Sequence, residues 1–104
     1  MIKQINETAF NELVKGKDGI AVIDFFATWC GPCRMLAPVM ENVSNELTDV
    51  SFYKIDVDEN QALAGSFGIS SIPCLILFKD GVAKSKILGY RPLNDIVKWI
   101  NNNK

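Results

Sequence analysis

An α/β fold, with a central five-stranded mixed sheet flanked by four helices, is predicted by three features of the 104-residue chain. Short apolar runs alternate with stretches whose apolar residues recur every three or four positions, the pattern of parallel strands joined by helical crossovers. The run GIAVIDFFA, residues 19–27, is apolar on both faces, as a central strand covered by helices on either side must be. Two later runs, CLILF and AKSKIL, flank KDG, which predicts a hairpin turning at Asp80–Gly81 and therefore antiparallel strands.

The elements follow in order. IKQI is a short strand, and Asn6 can cap a helix over Glu7–Lys15. Phe10, Leu13 and Val14 form one apolar stripe on it, and Gly16 marks its end. After the strand at Ile20–Ala27 comes a helix with Met35, Leu36, Val39, Met40, Val43 and Leu47 at spacings of three and four. Pro38 removes one backbone donor inside it and should kink the axis without ending it. VSFYKIDVD is the next strand, followed by a short helix around Gln61–Phe67, the hairpin, and a last helix beginning near Pro92. That helix carries Ile96, Val97, Trp99 and Ile100. With no repeat, low-complexity segment or Pro/Ser-rich linker, residues 1–104 are expected to form a single domain. Met35 and Met40 are expected in the core, Trp99 against the sheet, and the acidic DVDEN as a solvated strand end and loop.

Composition excludes several function classes. A net charge of −1 offers no electrostatic capture of nucleic acid or an anionic membrane, so neither is expected as a partner. No apolar run is long enough to span a bilayer. The opening MIKQINETAF lacks the apolar core of a secretory signal, which leads to the expectation of a reducing, cytoplasmic setting. Histidine is absent, which removes His-dependent hydrolases and mixed Cys/His zinc sites. Three cysteines cannot supply a four-thiolate site in one chain, so no metal is expected.

The stretch FFATWCGPCRML places Cys30 and Cys33 three apart at a strand-to-helix junction, at the carboxyl end of a central strand, where α/β sites form. A domain of this size buries roughly 60–65% of its unfolded surface and needs no covalent staple. A helix N-terminus presents unpaired N–H groups and partial positive charge, and Arg34 adds a cation; both favour a thiolate. Pro32 fits the first helical turn, where its missing N–H has no helical partner, and Gly31 leaves the approach to sulfur open. The spacing suits a reversible disulfide. Cys30 is expected to be the exposed nucleophile that attacks a substrate disulfide, and Cys33 the more buried thiol that resolves the mixed disulfide. Cys33 then needs a proton acceptor, for which Asp24, a lone carboxylate in AVIDFFA, is the candidate through a pKa raised by burial. The alternative is that Asp24 reaches a sheet edge and hydrates.

At these residues the chain resembles the thioredoxin family. WCGPC at Trp29–Cys33 is supported by VIDFFATWCGPC, KIDVDEN, SIP and FKDG in the family's order and spacing. The resemblance implies the thioredoxin fold and a general protein-disulfide reductase. By the same resemblance it would hold no cofactor and would draw its electrons from a separate thioredoxin reductase, NADPH- or ferredoxin-linked. Its targets would be disulfide-containing proteins such as reductases and peroxiredoxins, and it would act as a monomer. It also implies a Cys30–Cys33 redox disulfide, with Lys54 neighbouring Asp24 and tuning it. Trp29, Gly31, Pro32, Ile72, Pro73 and Gly89 would meet the substrate, and Pro73 would be cis. Two residues depart from the family: Phe26 replaces a frequent second tryptophan, and Cys74 follows Pro73 in place of the usual threonine. Cys74 is either a small packing residue or a third thiol close enough to affect the pair. Two other functions keep the fold: a binding module using the apolar surface around Trp29, Ile72, Pro73 and Gly89, or an oxidase or isomerase working in the opposite direction.

Overall fold

The computed structural model describes residues 2–104, leaving Met1 outside. Its order is β1 (Lys3–Gln4), α1 (Glu7–Leu13), β2 (Ile20–Phe26), α2 (Gly31–Glu46), β3 (Ser51–Asp56), α3 (Gln61–Ser66), β4 (Cys74–Lys79), β5 (Val82–Leu88) and α4 (Leu93–Asn102). The expected five-stranded mixed sheet with four helices is present, with strand order β1-β3-β2-β4-β5. β1, β3 and β2 run parallel, whereas β4 is antiparallel to β2 and to β5. The turn of the β4–β5 hairpin has positive φ at both Asp80 and Gly81, the conformation that matches the twist of two hairpin strands.

β2 is central, and the period of two divides its side chains between two cores. Val22 packs with Leu75 and Leu77 against Leu36, Met40 and Val43 of α2 and Ile96 and Ile100 of α4. Ile23 and Phe25 pack with Ile76 and Phe78 against Phe10, Val14 and Leu63 on the side of α1 and α3. Helices on both faces explain the doubly apolar strand. By the same alternation, Asp24 shares the parity of Val22 and faces the α2 side.

Local chemistry sets the helix ends. Asn6 caps α1 by accepting the Ala9 N–H at 2.9 Å, as expected. The helix stops at Leu13, two residues short of the expected end. Leu13 is 40% exposed, because Phe10 and Val14, four apart, already define the buried stripe. α2 runs through Pro38, which cannot donate to the Arg34 carbonyl. Met35 is 62% exposed, against expectation: Leu36, Met40 and Val43 face the sheet, and Met35, a step of about 100° away, falls on the outer side with Pro32. Met40 and Trp99 pack as expected, and the Trp99 indole donates to the Ser85 hydroxyl. Pro92 immediately precedes α4, whose first residue is Leu93. The DVDEN stretch is not wholly solvated: Asp56 is buried, because its carboxylate folds back to accept the Asp58 N–H at 2.8 Å.

Candidate active site

The carboxyl end of β2 delivers the chain through Ala27, Thr28 and Trp29 to the start of α2. Cys30 stands at the N-cap with extended backbone, and its sulfur accepts the Cys33 N–H at 3.2 Å. A sulfur thus occupies the place that a capping oxygen takes in an ordinary helix. The 16-residue helix behind it directs its positive end at this atom, which stabilises a thiolate there. Cys30 and Cys33 form a disulfide with 5.2 Å between their Cα atoms.

The expectation of an exposed Cys30 is corrected: it is 5% exposed, as hidden as Cys33 at 4%. Capping turns its side chain inward over the helix end. Ala27, Phe26, Val57 and Ile72 close around the pair. What remains open is the approach over Gly31, half-buried, and Pro32, exposed.

Ile72 and Pro73 come from a distant part of the chain. The Ile72 carbonyl lies 3.9 Å from Cys30 Sγ, and the Ile72–Pro73 peptide is cis. Gly89, with φ +81°, donates its N–H to the Pro73 carbonyl at 2.8 Å. The structure therefore brings Ile72, Pro73 and Gly89 together beside the cysteines. Trp29 is exposed, and its indole N–H donates to the Asp58 carboxylate at 2.8 Å, a tie that no local pattern in the sequence signals.

Behind the disulfide lies a cleft of about 290 Å³, lined by Asp24, Phe26, Ala27, Thr28, Cys33, Arg34, Ala37 and Lys54. Asp24 and Lys54 are Cα partners across β2 and β3, and both line the cleft. Asp24 is buried, and its Oδ1 has no hydrogen-bond partner. Burial pushes its pKa up to about 7, with the Lys54 charge opposing the rise. The hydrated-edge alternative fails, because β2 is the middle strand. Arg34 donates to the Thr28 carbonyl at 2.9 Å.

Cys74 is a free, fully buried thiol on β4, in register with Phe25 and Leu88. It belongs to the core beneath α1 and α3, apart from the cluster around the disulfide. Burial raises its pKa, with Lys86 opposing and Asp24 adding to the rise. This supports the packing reading of Cys74.

Residues 1–102 match the Thioredoxin family model. The chain is 44% identical over 102 residues to a thioredoxin of Listeria monocytogenes, covering 97% of each chain. It is 43% identical over 101 residues to one of Chlamydia pneumoniae, again covering 97% of each, and 39% identical over 104 residues to one of Rickettsia bellii, covering 99% of each.

The chain belongs to the thioredoxin family.

As a thioredoxin-family oxidoreductase it carries its Cys30–Cys33 pair at the helix end, an arrangement consistent with protein-disulfide reduction. No helix among the described residues is long and apolar enough to cross a membrane. Two contacts of the site leave no mark in the sequence: the Asp58 tie to Trp29, and the Phe26 ring, whose centroid lies 5.7 Å from the Lys54 ammonium.

Proposed function

We propose that residues 1–104 act as one thioredoxin domain, a cytoplasmic, monomeric protein-disulfide reductase working through the Cys-Gly-Pro-Cys sequence. Cys30 is the nucleophile. Its thiolate, held by the Cys33 N–H and the α2 terminus, attacks one sulfur of a target disulfide and expels the other as a thiolate. Cys33 gives its proton to the Asp24 carboxylate across the shared cleft and attacks Cys30. The Cys30–Cys33 bond forms as the mixed disulfide breaks, and the target leaves with two electrons. Lys54 tunes Asp24 through its field.

Trp29, Gly31, Pro32, Ile72, Pro73 and Gly89 form the target-binding surface, with the Ile72 backbone offered to an extended segment. A separate thioredoxin reductase, NADPH- or ferredoxin-linked, returns the pair to the dithiol, so the domain binds no cofactor of its own. Target proteins such as reductases and peroxiredoxins carry the accepting disulfides.

The observation that carries this reading is the disulfide at the N-cap of α2, with Cys30 sulfur accepting the Cys33 amide. Insulin reduction driven by dithiothreitol tests it. Cys30→Ser should remove the activity, whereas a binding module would be indifferent to the change. A reduction potential well above about −200 mV would contradict the reducing direction.

A further inference from the structure

Phe26 and Asp24 lie two apart on β2 and so share one face of the sheet. Lys54 starts from β3 directly beside Asp24. Its side chain therefore has two partners within reach along one strand: the carboxyl at its own level, and the aromatic ring one pleat further toward the mouth of the cleft. The ammonium takes the ring. Lys54 Nζ stands 5.7 Å from the Phe26 centroid, while Asp24 Oδ1 is left without a hydrogen-bond partner. The ring face attracts the cation and still leaves half-buried Lys54 partly hydrated, whereas a contact pair with buried Asp24 requires the ammonium to shed its water.

We propose that Phe26 is a positioning residue whose ring holds the Lys54 ammonium off the Asp24 carboxyl, keeping that carboxyl unpaired inside the cleft it shares with Cys33. An Asp24 in direct contact with Lys54 would be held as a carboxylate and would be a weak proton acceptor. Held at a distance, the cation lowers the cost of ionisation without abolishing the affinity for a proton. The other charged or titratable groups around Asp24 are few. Cys33 and Arg34 line the cleft from α2, Asp56 follows Lys54 on the same face of β3, and Cys74 acts through β4 from the opposite face. Arg34 is engaged by the Thr28 carbonyl and Asp56 by the Asp58 N–H, whereas the Lys54 ammonium is held over the Phe26 ring. The inference deepens the reading of Asp24 as the proton acceptor and rests on it for its catalytic meaning.

The test follows the Asp24 carboxyl carbon by NMR across pH in the oxidised full chain. Phe26→Leu should lower its midpoint by about 1 pH unit, as an ammonium released to within about 4–6 Å would do. Phe26→Trp, which restores a π face, should return the midpoint to the unmodified value. In a Lys54→Gln background, Phe26→Leu should produce no shift. An unchanged or raised midpoint in Phe26→Leu, or an equal shift in the Lys54→Gln background, would overturn the proposal. Should Phe26→Leu not fold, the unmodified protein decides: the Lys54 Hε protons should be shifted upfield by the ring, and unshifted resonances would overturn it. The pH profile of insulin reduction separates the two layers. A lowered midpoint with an unmoved rate profile upholds the role of Phe26 and rejects Asp24 as the proton acceptor.

Discussion

Replacing Asp24 with asparagine should stabilise the oxidised protein, and only above a definite pH. The carboxyl titrates near 7 in the folded chain and near 3.8 as an unperturbed group. Its folded pKa is raised, so between these values the native state holds a proton that the unfolded state has released. The penalty on folding is therefore absent below about pH 3.8, grows through that window, and is complete above about pH 7. Some three pKa units at 1.36 kcal/mol each amount to about 4 kcal/mol, an order-of-magnitude figure for a group this buried. Asparagine has nearly the same shape and no charge. It leaves an amide in a site where Oδ1 already lacks a partner, which takes back about 1–2 kcal/mol. Asp24→Asn should thus raise the unfolding free energy by about 2–3 kcal/mol at about pH 8 and, with the charge penalty nearly gone and the amide cost remaining, lower it by about 1 kcal/mol at about pH 4. Urea denaturation of both oxidised proteins at the two pH values measures this directly. An equal difference at both values, or a loss of stability at the higher one, would refute the assignment of burial as the cause.

Two further outcomes follow from packing. Cys74 should resist thiol reagents in the folded oxidised protein and react once in denaturant, and mass spectrometry should find only the Cys30–Cys33 linkage; rapid native labelling would contradict its burial. Ile96→Ala should cost about 2–5 kcal/mol by opening a cavity beneath α4, while Leu13→Ala should stay within about 0.5 kcal/mol. Comparable losses at the two positions in denaturant titrations would mean that the apolar stripe of α1 has been misassigned.

Periodicity made the elements legible because burial on one or two sides leaves a local mark. The doubly apolar β2 and the three-and-four spacing of α2 each announce that something covers them, and both elements are where the pattern puts them. Two of the differences share one cause. Leu13 and Met35 are apolar residues near a stripe, and only the position of the sheet decides which of several adjacent apolar residues is turned inward. Asp56 differs for another reason: its hydrogen bond to the amide two residues later buries it and leaves no compositional trace.

The same division runs through the site. Sequence alone determined the Cys30–Cys33 spacing, the strand-to-helix junction that hosts it, the lone carboxylate in an apolar strand and the family likeness, because these depend on residue type and short separations. Tertiary structure decided that Cys30 is covered and that Ile72 and Pro73, more than forty residues away, stand beside it. It also decided that Trp29 is tied to Asp58, and that the Lys54 ammonium rests on Phe26 and not on Asp24. Those pairings join separate strands and loops. A sequence states how much each residue gains from burial or from a partner, and the packed sheet determines which partner is within reach.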